Sequence, residues 1–405
     1  MLLLACPALA AATRLPHEIY VWQRAWTAPV KAAVASRATN FAAVVVLTAE
    51  VTWSQRKPQV ARVAPDYKTL SHCGRPVGLA LRIGPFPGPF QAAGEPAQTL
   101  CNLAADLVAE ARRHQLAVAE VQVDFDCAES KLDGYRAWLE ALGRTVAPVR
   151  LTFTALPSWL KHAEFGKLAA ATGGYVLQVH SFERPKSAAA PFTLCDPAAA
   201  RAAAARAAEW GVPFWVALPT YGYAVGFDSA ERFLGLSAEG PAKSWPAGSQ
   251  TREVRADPVG LAGLVETWNR ERPASMRGII WYRLPVAGDT LNWRWATLSK
   301  VLAGQVPQPS LRAEIRRPMP ALAELELANA GDADYSGSIV VTARHPDRRL
   351  VASDGWEGFQ VVEAGPGAVQ FRHTDWRLAP GERRKIGWLR LDQEAEVTIE
   401  LDTEN

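Results

Sequence analysis

The amino-acid sequence predicts a (β/α)₈ barrel followed by a small all-β sandwich. Strand-like and helix-like segments alternate about eight times over roughly 300 residues, which is the size and rhythm of such a barrel. The strand-like segments are continuous apolar runs, as parallel strands covered on both faces require. An open doubly wound sheet is the alternative, but no glycine-rich phosphate turn follows the first strand, so a nucleotide-binding version is disfavoured.

The predicted barrel consists of eight strands with helices between them. Its strands are predicted at 18–23, 42–53, 78–84, 118–126, 149–156, 175–182, 214–223 and 278–285. Helices are predicted at 98–115, 131–142, from 157 onward, at 197–210, at 258–272 and near 291–302, from apolar residues spaced along one face or from an opening proline. The segment 224–257 is too long for an ordinary connection, so we expect either a lid over the barrel mouth or a disordered surface insertion.

Beyond the barrel, the sequence changes character. Residues 307–320 carry four prolines and are predicted to be a linker. Short alternating strands divided by turns follow at 321–328, 336–343, 359–362, 385–391 and 396–401, which is the pattern of a β-sandwich. The predicted domains are therefore an export signal remnant at 1–13, a barrel at 14–306, the linker, and the sandwich at 321–405.

Charge and composition narrow the classes of partner. The chain has 44 basic and 41 acidic residues, and this near-balance argues against a protein that binds nucleic acid or a membrane surface. Its 15 tryptophans are the strongest compositional anomaly. Indole rings fill cores, but they also present flat apolar faces edged by a hydrogen-bond donor, which suit the C–H faces of sugars. A polysaccharide or oligosaccharide is therefore the expected partner.

The N-terminal residues predict export. Residues 1–14 combine a short apolar run with Ala8-Leu9-Ala10, a small-residue cleavage pattern. The same run also fits a lipoprotein signal, in which Cys6 would be lipidated and would anchor the protein to a membrane. Either alternative predicts a periplasmic, envelope-bound or secreted protein. The four remaining cysteines could form disulfides in that compartment or remain free thiols.

The segment 118–129 has an apolar face and an acidic face. Side chains alternate along a strand, so Val121 and Val123 lie on one face while Gln122, Asp124 and Asp126 lie on the other. Carboxylates and an amide need partners or water when they leave the surface. We therefore expect this strand to end at a wet opening that holds the functional site.

Polar and aromatic residues stand at nearly every predicted strand end, where barrel sites are built. The polar set comprises Gln23, Arg24, Glu50, Arg82, Asp124, Asp126, Gln178, His180, Thr220, Tyr221, Tyr282 and Arg283. The aromatic set comprises Trp22, Trp53, Trp159, Tyr223 and Trp281. Acids among planar aromatic rings favour a carbohydrate cleft over a phosphate or metal site. The residues that we expect to bind the substrate are Trp22, Gln23, Arg82, Gln122, Trp159, Gln178, His180, Tyr221, Tyr223, Trp281, Tyr282 and Arg283.

Paired carboxylates predict glycosidic cleavage, in which one acid donates a proton while the other stays ionised. Asp126, nearer the rim, is predicted to be the acid because ionising Asp124 would raise its pKa. Glu50 is either a second catalytic carboxylate across the mouth or the partner of an arginine. The alternative for the aspartates is a structural network with Arg82 and Arg283.

His180 is predicted either to orient a carboxylate or a substrate hydroxyl, or to be structural. A metal-dependent deacetylase built on Asp124, Asp126 and His180 is a weaker alternative, since no HxxxH or HExxH spacing is present. No metal or cofactor is predicted.

Several strings resemble one bacterial family catalogued as a domain of unknown function, made of exported barrel proteins. They are YVWQRAW at 20–26, VQVDFDCAES at 121–130, TALPSWL at 154–160, VLQVHS at 176–181, VALPTYGY at 216–223 and GIIWYRLP at 278–285. The resemblance covers about residues 18–305. It implies membership and no particular reaction.

A more distant, partial likeness is to the family-18 glycoside hydrolases, the chitinase group, whose fourth barrel strand ends in D-x-x-D-x-D-x-E. With the final acid placed at Asp126, Ala119 and Gln122 stand where the first two aspartates belong, and Asp124 matches the third. The likeness implies that Asp126 donates the proton and that Asp124 supports the N-acetyl group of the substrate. Trp281 is similar to the aromatic floor of the sugar site in that group.

Two functions follow as hypotheses. The first is a glycoside hydrolase that uses Asp126 with Asp124, and with Glu50 as a further candidate. The second is a non-catalytic glycan-binding or envelope-assembly protein on the same scaffold.

Overall fold

The structure is a computed structural model that describes residues 14–55, 57–180, 185, 187–237, 244–345 and 349–404. The predicted export signal at 1–13, with Cys6, lies outside these residues, so export and lipidation stay predictions. The chain divides into two compact units between Trp293 and Arg294. Among the helices described, none is both long and apolar enough to cross a membrane.

The first unit alternates strands and helices. In its first half they are β1 (His17–Val21), α1 (Ala28–Arg37), β2 (Val44–Ser54), β3 (Lys57–Arg62), α2 (Tyr67–Ser71), β4 (Val77–Ile83), α3 (Glu95–Arg113), β5 (Val118–Phe125), α4 (Leu132–Val146), β6 (Arg150–Ala155), α5 (Ala163–Ala170) and β7 (Tyr175–Gln178). They continue with α6 (Pro197–Ala208), β8 (Phe214–Pro219), β9 (Gly222–Phe227), β10 (Phe233–Ser237), β11 (Gln250–Arg255), α7 (Pro258–Arg270) and β12 (Met276–Tyr282).

Eight parallel strands close into a barrel. They follow the order β1-β2-β4-β5-β6-β7-β8-β12, and β1 pairs in parallel with both β2 and β12. The short strand β3 pairs antiparallel with β2. This closure confirms the predicted (β/α)₈ barrel, and each predicted barrel strand is present.

Side-chain alternation divides the barrel strands into an inner and an outer face. The inner face contributes one buried cluster: Tyr20, Trp22, Val45, Leu47, Val63, Ala80, Val176, Ala217 and Ile280. On the outer face, Phe125 of β5 packs against Tyr135 of α4 with ring centroids 5.1 Å apart. Polar residues of the inner face therefore point towards the barrel axis rather than towards the helices.

Two helices begin with the same local signal. The side chain of Asp196 accepts hydrogen bonds from the first backbone N–H groups of α6, and Asp257 does the same for α7. A proline follows each aspartate at the first helical position, where its missing N–H costs nothing. This pattern starts α6 after the segment that follows the barrel strand β7, and it starts α7 directly after β11.

The described part of the segment 224–257 consists largely of strands, which corrects the expectation of a disordered insertion there. Strands β10, β9 and β11 form a three-stranded antiparallel sheet, and residues 238–243 lie outside the described part. The end of its central strand is buried, including Val225 and Phe227. The single strand predicted at 214–223 is accordingly two strands, β8 and β9, separated by Thr220 and Tyr221. A lid function for this sheet stays a prediction.

The second unit contains α8 (Trp295–Leu302) and eight strands. The strands are β13 (Leu311–Met319), β14 (Leu322–Asn329), β15 (Tyr335–Arg344), β16 (Leu350–Gly355), β17 (Gln360–Glu363), β18 (Ala368–Leu378), β19 (Arg383–Leu391) and β20 (Thr398–Glu404). They form two four-stranded sheets, β13-β14-β19-β16 and β17-β18-β15-β20. One apolar cluster includes Leu325 and Ile386 from the first sheet and Val341 and Phe371 from the second, which confirms the β-sandwich.

Two details of this unit differ from the sequence prediction. The proline-rich stretch 307–320 is not only a linker, because β13 occupies most of it, with Ala313 and Ile315 packed against the core. Pro318 is tolerated because β13 is an edge strand, where a missing donor breaks no ladder on its outer side. Helix α8, predicted as part of the barrel, groups with the second unit.

Candidate active site in the barrel cleft

A cleft of about 380 Å³ opens at the carboxyl ends of the barrel strands. Its lining combines acids, an arginine, an amide and aromatic rings: Tyr20, Trp22, Arg82, Asp124, Asp126, Thr154, Leu156, Gln178, His180, Tyr221, Tyr223 and Tyr282. Most of the residues predicted for the site meet here. Tyr20, Thr154 and Leu156 were missed, although alternation along the predicted strands would have placed Tyr20 on the same face as Trp22.

Asp124 is held from three directions at the end of β5. Its Oδ1 accepts a hydrogen bond of 2.8 Å from the hydroxyl of Thr154 and one of 3.1 Å from the amide of Gln178. Its Oδ2 lies 3.9 Å from Nε of Arg82. The pKa of Asp124 is raised, because the effect of burial outweighs that of Arg82 and the two hydrogen bonds, which lower it. The neighbours therefore orient the carboxylate and partly offset the cost of burying its charge.

Asp126 stands beside Asp124 and faces the cleft. Within the described part of the chain it makes no hydrogen bond or ion pair. The surrounding walls of the cleft raise its pKa by burial, the charge of Asp124 raises it further, and Arg82 opposes both. Such a carboxyl group keeps its proton to a higher pH than an exposed aspartate, as a proton donor requires.

Glu50 does not line the cleft. It accepts two hydrogen bonds from Arg24, of 2.6 and 2.9 Å, and lies 3.8 Å from Arg82. The hydrogen bonds from Arg24 are the main reason that the pKa of Glu50 is lowered. Of the two sequence alternatives, the structure favours the arginine partner over the second catalytic carboxylate.

Aromatic and hydroxyl groups form another wall of the cleft. The ring of His180 stacks on Tyr282 with centroids 5.6 Å apart, and its Nδ1 lies 3.3 Å from the hydroxyl of Tyr221. That hydroxyl is also 3.1 Å from the hydroxyl of Tyr223. Burial lowers the pKa of His180 to about 4, so the ring is neutral near pH 7. These side chains can therefore form hydrogen bonds with a ligand while carrying no positive charge.

Three predicted substrate-binding residues lie elsewhere, which corrects the sequence analysis. Gln122 is 1% exposed and accepts a hydrogen bond from Tyr20 inside the barrel. Trp281 is fully buried on the outer face of β12, because it alternates with the inward-facing Tyr282, and its indole N–H donates to His17. Trp159 is fully buried against Tyr135.

Gln23 and Arg283 also lie outside the cleft. Both line a second cavity, formed by the segments that follow β1 and β12. Arg283 is 4% exposed and pairs with Asp289 rather than with Asp124 or Asp126. Of the structural network predicted for the two aspartates, the described structure contains the pair of Arg82 with Asp124, whereas Arg283 takes no part in it.

Two observations concern metals and cysteines. In the described ranges, no group of three or more His, Cys, Asp or Glu side chains is arranged to hold a metal ion. The cysteines described, at 73, 101, 127 and 195, are free thiols.

Comparison with protein families gives two matches. The model of DUF3142, a domain of unknown function, matches residues 74–287, which is more than half of the 405 residues. The model of DUF8456, also a domain of unknown function, matches residues 313–392. A search of curated proteins found no match.

Solved structures share the barrel fold. The C-terminal domain of a proposed chitinase from Desulfitobacterium hafniense DCB-2 is 12% identical with a TM-score of 0.52, covering 71% of this chain and 98% of that domain. The spore cortex-lytic enzyme SleL of Bacillus cereus is 10% identical with a TM-score of 0.50, covering 72% of this chain and 74% of the enzyme. At these identities the likeness extends to the fold alone.

Proposed function

We infer that this chain, which belongs to the DUF3142 family, hydrolyses a glycosidic bond of a polysaccharide held in the barrel cleft. One observation carries the proposal. A carboxyl group with a raised pKa and no partner among the described residues, that of Asp126, faces the cleft next to a second carboxyl group that is hydrogen-bonded and close to a cation. Glycosidic cleavage uses two carboxyl groups that differ in this way, one that keeps its proton and one that is ionised.

The environments of the two acids assign their roles. Thr154 and Gln178 donate hydrogen bonds to Asp124, and donated hydrogen bonds favour the charged form of a carboxyl group. Asp126 has no comparable donor, so a proton shared by the pair resides on Asp126. Asp126 then protonates the oxygen of the leaving sugar as the C–O bond breaks. Asp124 stabilises the positive charge that develops on the sugar, and water completes the hydrolysis and returns a proton to Asp126.

The remainder of the cleft suits a sugar. The hydroxyls of Tyr221 and Tyr223 and the guanidinium of Arg82 supply hydrogen bonds, and the ring of Tyr282 supplies an apolar face. The volume of the cleft falls in the range of small-ligand sites. The barrels of a proposed chitinase and a cortex-lytic enzyme share this fold, so chitin and cell-wall polysaccharides are the first substrates to test.

A second function, glycan binding without cleavage, is favoured by a different observation. Glu50 is occupied by Arg24, and the proposed acid is an aspartate, one methylene shorter than the glutamate of the family-18 pattern. A protein that retains the cleft and lacks the chemistry would look similar. Export to the envelope, predicted from residues 1–13, is part of either proposal.

The test compares wild type with Asp126→Asn and with Asp106→Asn, a control at an exposed position on the outer helix α3. Each protein is offered chitin oligosaccharides, peptidoglycan and other bacterial polysaccharides, with binding measured by calorimetry and products by chromatography. We expect cleavage by wild type and the control, and a loss of about 100-fold or more in Asp126→Asn with binding retained. Cleavage that persists in Asp126→Asn would place the acid elsewhere. Binding by all three proteins with no cleavage would leave the glycan-binding function.

A further inference from the structure

A second cavity, of about 550 Å³, adjoins the end of the barrel between the segments that follow β1 and β12. These two strands pair in parallel, so both segments leave the barrel side by side. Trp22 and Tyr282 line the cleft, whereas the next residue on each segment, Gln23 and Arg283, lines the second cavity. The two cavities therefore lie on opposite sides of the same two strand ends.

The amide of Gln23 supplies an acceptor to this cavity. Its Nε2 donates to the backbone carbonyl of Leu284 at 3.3 Å. A carbonyl can only accept, so this contact fixes the orientation of the amide. Its Oε1 is then buried and has no donor among the described residues. A buried acceptor of this kind is satisfied by a hydroxyl or an N–H group that enters the cavity.

The charges of the cavity are balanced. The guanidinium of Arg283 pairs with the carboxylate of Asp289, and Arg24 pairs with Glu50. Each cation therefore already faces a carboxylate, and an anionic ligand would approach those carboxylates as well as the arginines. Val30 and Leu291 add apolar surface to the lining. The mixture of planar polar groups and apolar walls suits an uncharged ligand rich in hydroxyls.

We propose that the second cavity binds a neutral glycosyl unit that belongs to the same chain as the unit held in the cleft. Sugar hydroxyls donate to Oε1 of Gln23 and to Asp289, and the sugar C–H face packs against Leu291. The chain crosses the ends of β1 and β12 between the two cavities. This inference rests on the proposed function and deepens it, because it defines the substrate as a neutral glycan longer than the cleft alone accommodates.

The test measures how affinity depends on chain length, with chitin di- to hexasaccharides as neutral probes and oligogalacturonates of equal length as anionic probes. Ala25→Trp fills the cavity from an exposed lining position, and Ala230→Trp is the control for the same change at an exposed position outside both cavities. We expect wild type and the control to gain about tenfold in affinity from the shortest to the longest neutral probe, and to gain nothing with the anionic series. Ala25→Trp should lose this gain while binding the disaccharide like wild type.

A second variant, Gln23→Ala, removes the acceptor without adding bulk and should reduce the gain about threefold. If affinity still rises with the length of the neutral probes in both variants, or rises equally with the anionic probes, the inference is overturned and the proposed function is left intact. Wild type that binds no oligosaccharide would overturn the proposed function as well.

Discussion

The guanidinium of Arg82 lies 3.9 Å from the carboxylate of Asp124 on the wall of the cleft. The same guanidinium lies 3.8 Å from Glu50, which is paired with Arg24 at the rim. Arg24, Glu50, Arg82 and Asp124 therefore form a row of alternating positive and negative charges that leads from the rim into the cleft. The ionisation of Asp124 therefore depends on residues that do not line the cleft.

Replacing Arg82 by glutamine should raise the pKa values of Asp124 and Asp126. The change removes the cation that lowers both pKa values, while the effect of burial remains. Titration of the side-chain carboxyl carbons by ¹³C NMR measures this directly, with Arg62→Gln as an exposed control outside the cleft. Unchanged or lowered pKa values in Arg82→Gln would contradict the role assigned to the pair.

Replacing Glu50 by glutamine should lower the pKa of Asp124, which is the opposite of the effect expected for Arg82→Gln. The negative charge of Glu50 raises the pKa of Asp124, so its removal lowers that pKa. The same NMR titration tests the change. If the pKa of Asp124 rises instead, then the loss of order around Arg82 outweighs the loss of charge.

The barrel and its acids could be predicted because local rules determine them. Continuous apolar runs located the eight strands, and alternation on β5 placed Asp124 and Asp126 towards the axis. Trp281 was wrongly assigned to the cleft because it lies near the end of a strand. Side chains alternate along β12, so Trp281 faces outward when its neighbour Tyr282 faces inward.

Other features depend on contacts between distant segments. Arg24 and Glu50 meet only once β1 and β2 are side by side, so no local pattern selects that pair from the alternatives. Strand β13 was not predicted because prolines lie within and around it, and its position at a sheet edge, where Pro318 is tolerated, depends on contacts with distant strands.

Glu18, near the start of β1, should make stability depend on pH. Burial, reinforced by Glu120, raises the pKa of Glu18 from its ordinary value of 4.5 to about 8. The folded state then binds more protons than the unfolded state between these values, so the free energy of unfolding falls as the pH rises from about 5 to 9.

We expect the free energy of unfolding of wild type to fall by on the order of 2 kcal/mol over this pH range, and the variant Glu18→Gln should not show this fall. Urea unfolding at three pH values measures it, with Glu209→Gln as an exposed control on the same unit. Equal slopes for wild type and Glu18→Gln would show that Glu18 is not protonated in the folded barrel.

Asn329 should stabilise the sandwich through its side-chain amide. It is buried, its Nδ2 donates to the carbonyls of Ala333 and Leu378, and its Oδ1 accepts from the backbone N–H groups of Ser310 and Gly331. Replacing it by alanine removes the donor that the buried carbonyls of Ala333 and Leu378 use, and we expect a loss of about 3 kcal/mol on urea unfolding. A loss below about 1 kcal/mol would contradict this role.

The pH dependence of kcat/KM for glycan cleavage tests the central claim most directly, because it reports the protonation state that the free enzyme needs. If Asp126 is the proton donor, activity falls as the pH rises through the pKa of Asp126, and Asp126→Glu remains active with that fall shifted along the pH axis. Activity that stays constant with rising pH, or a fall that is identical in wild type and Asp126→Glu, would contradict the assignment of Asp126 as the acid.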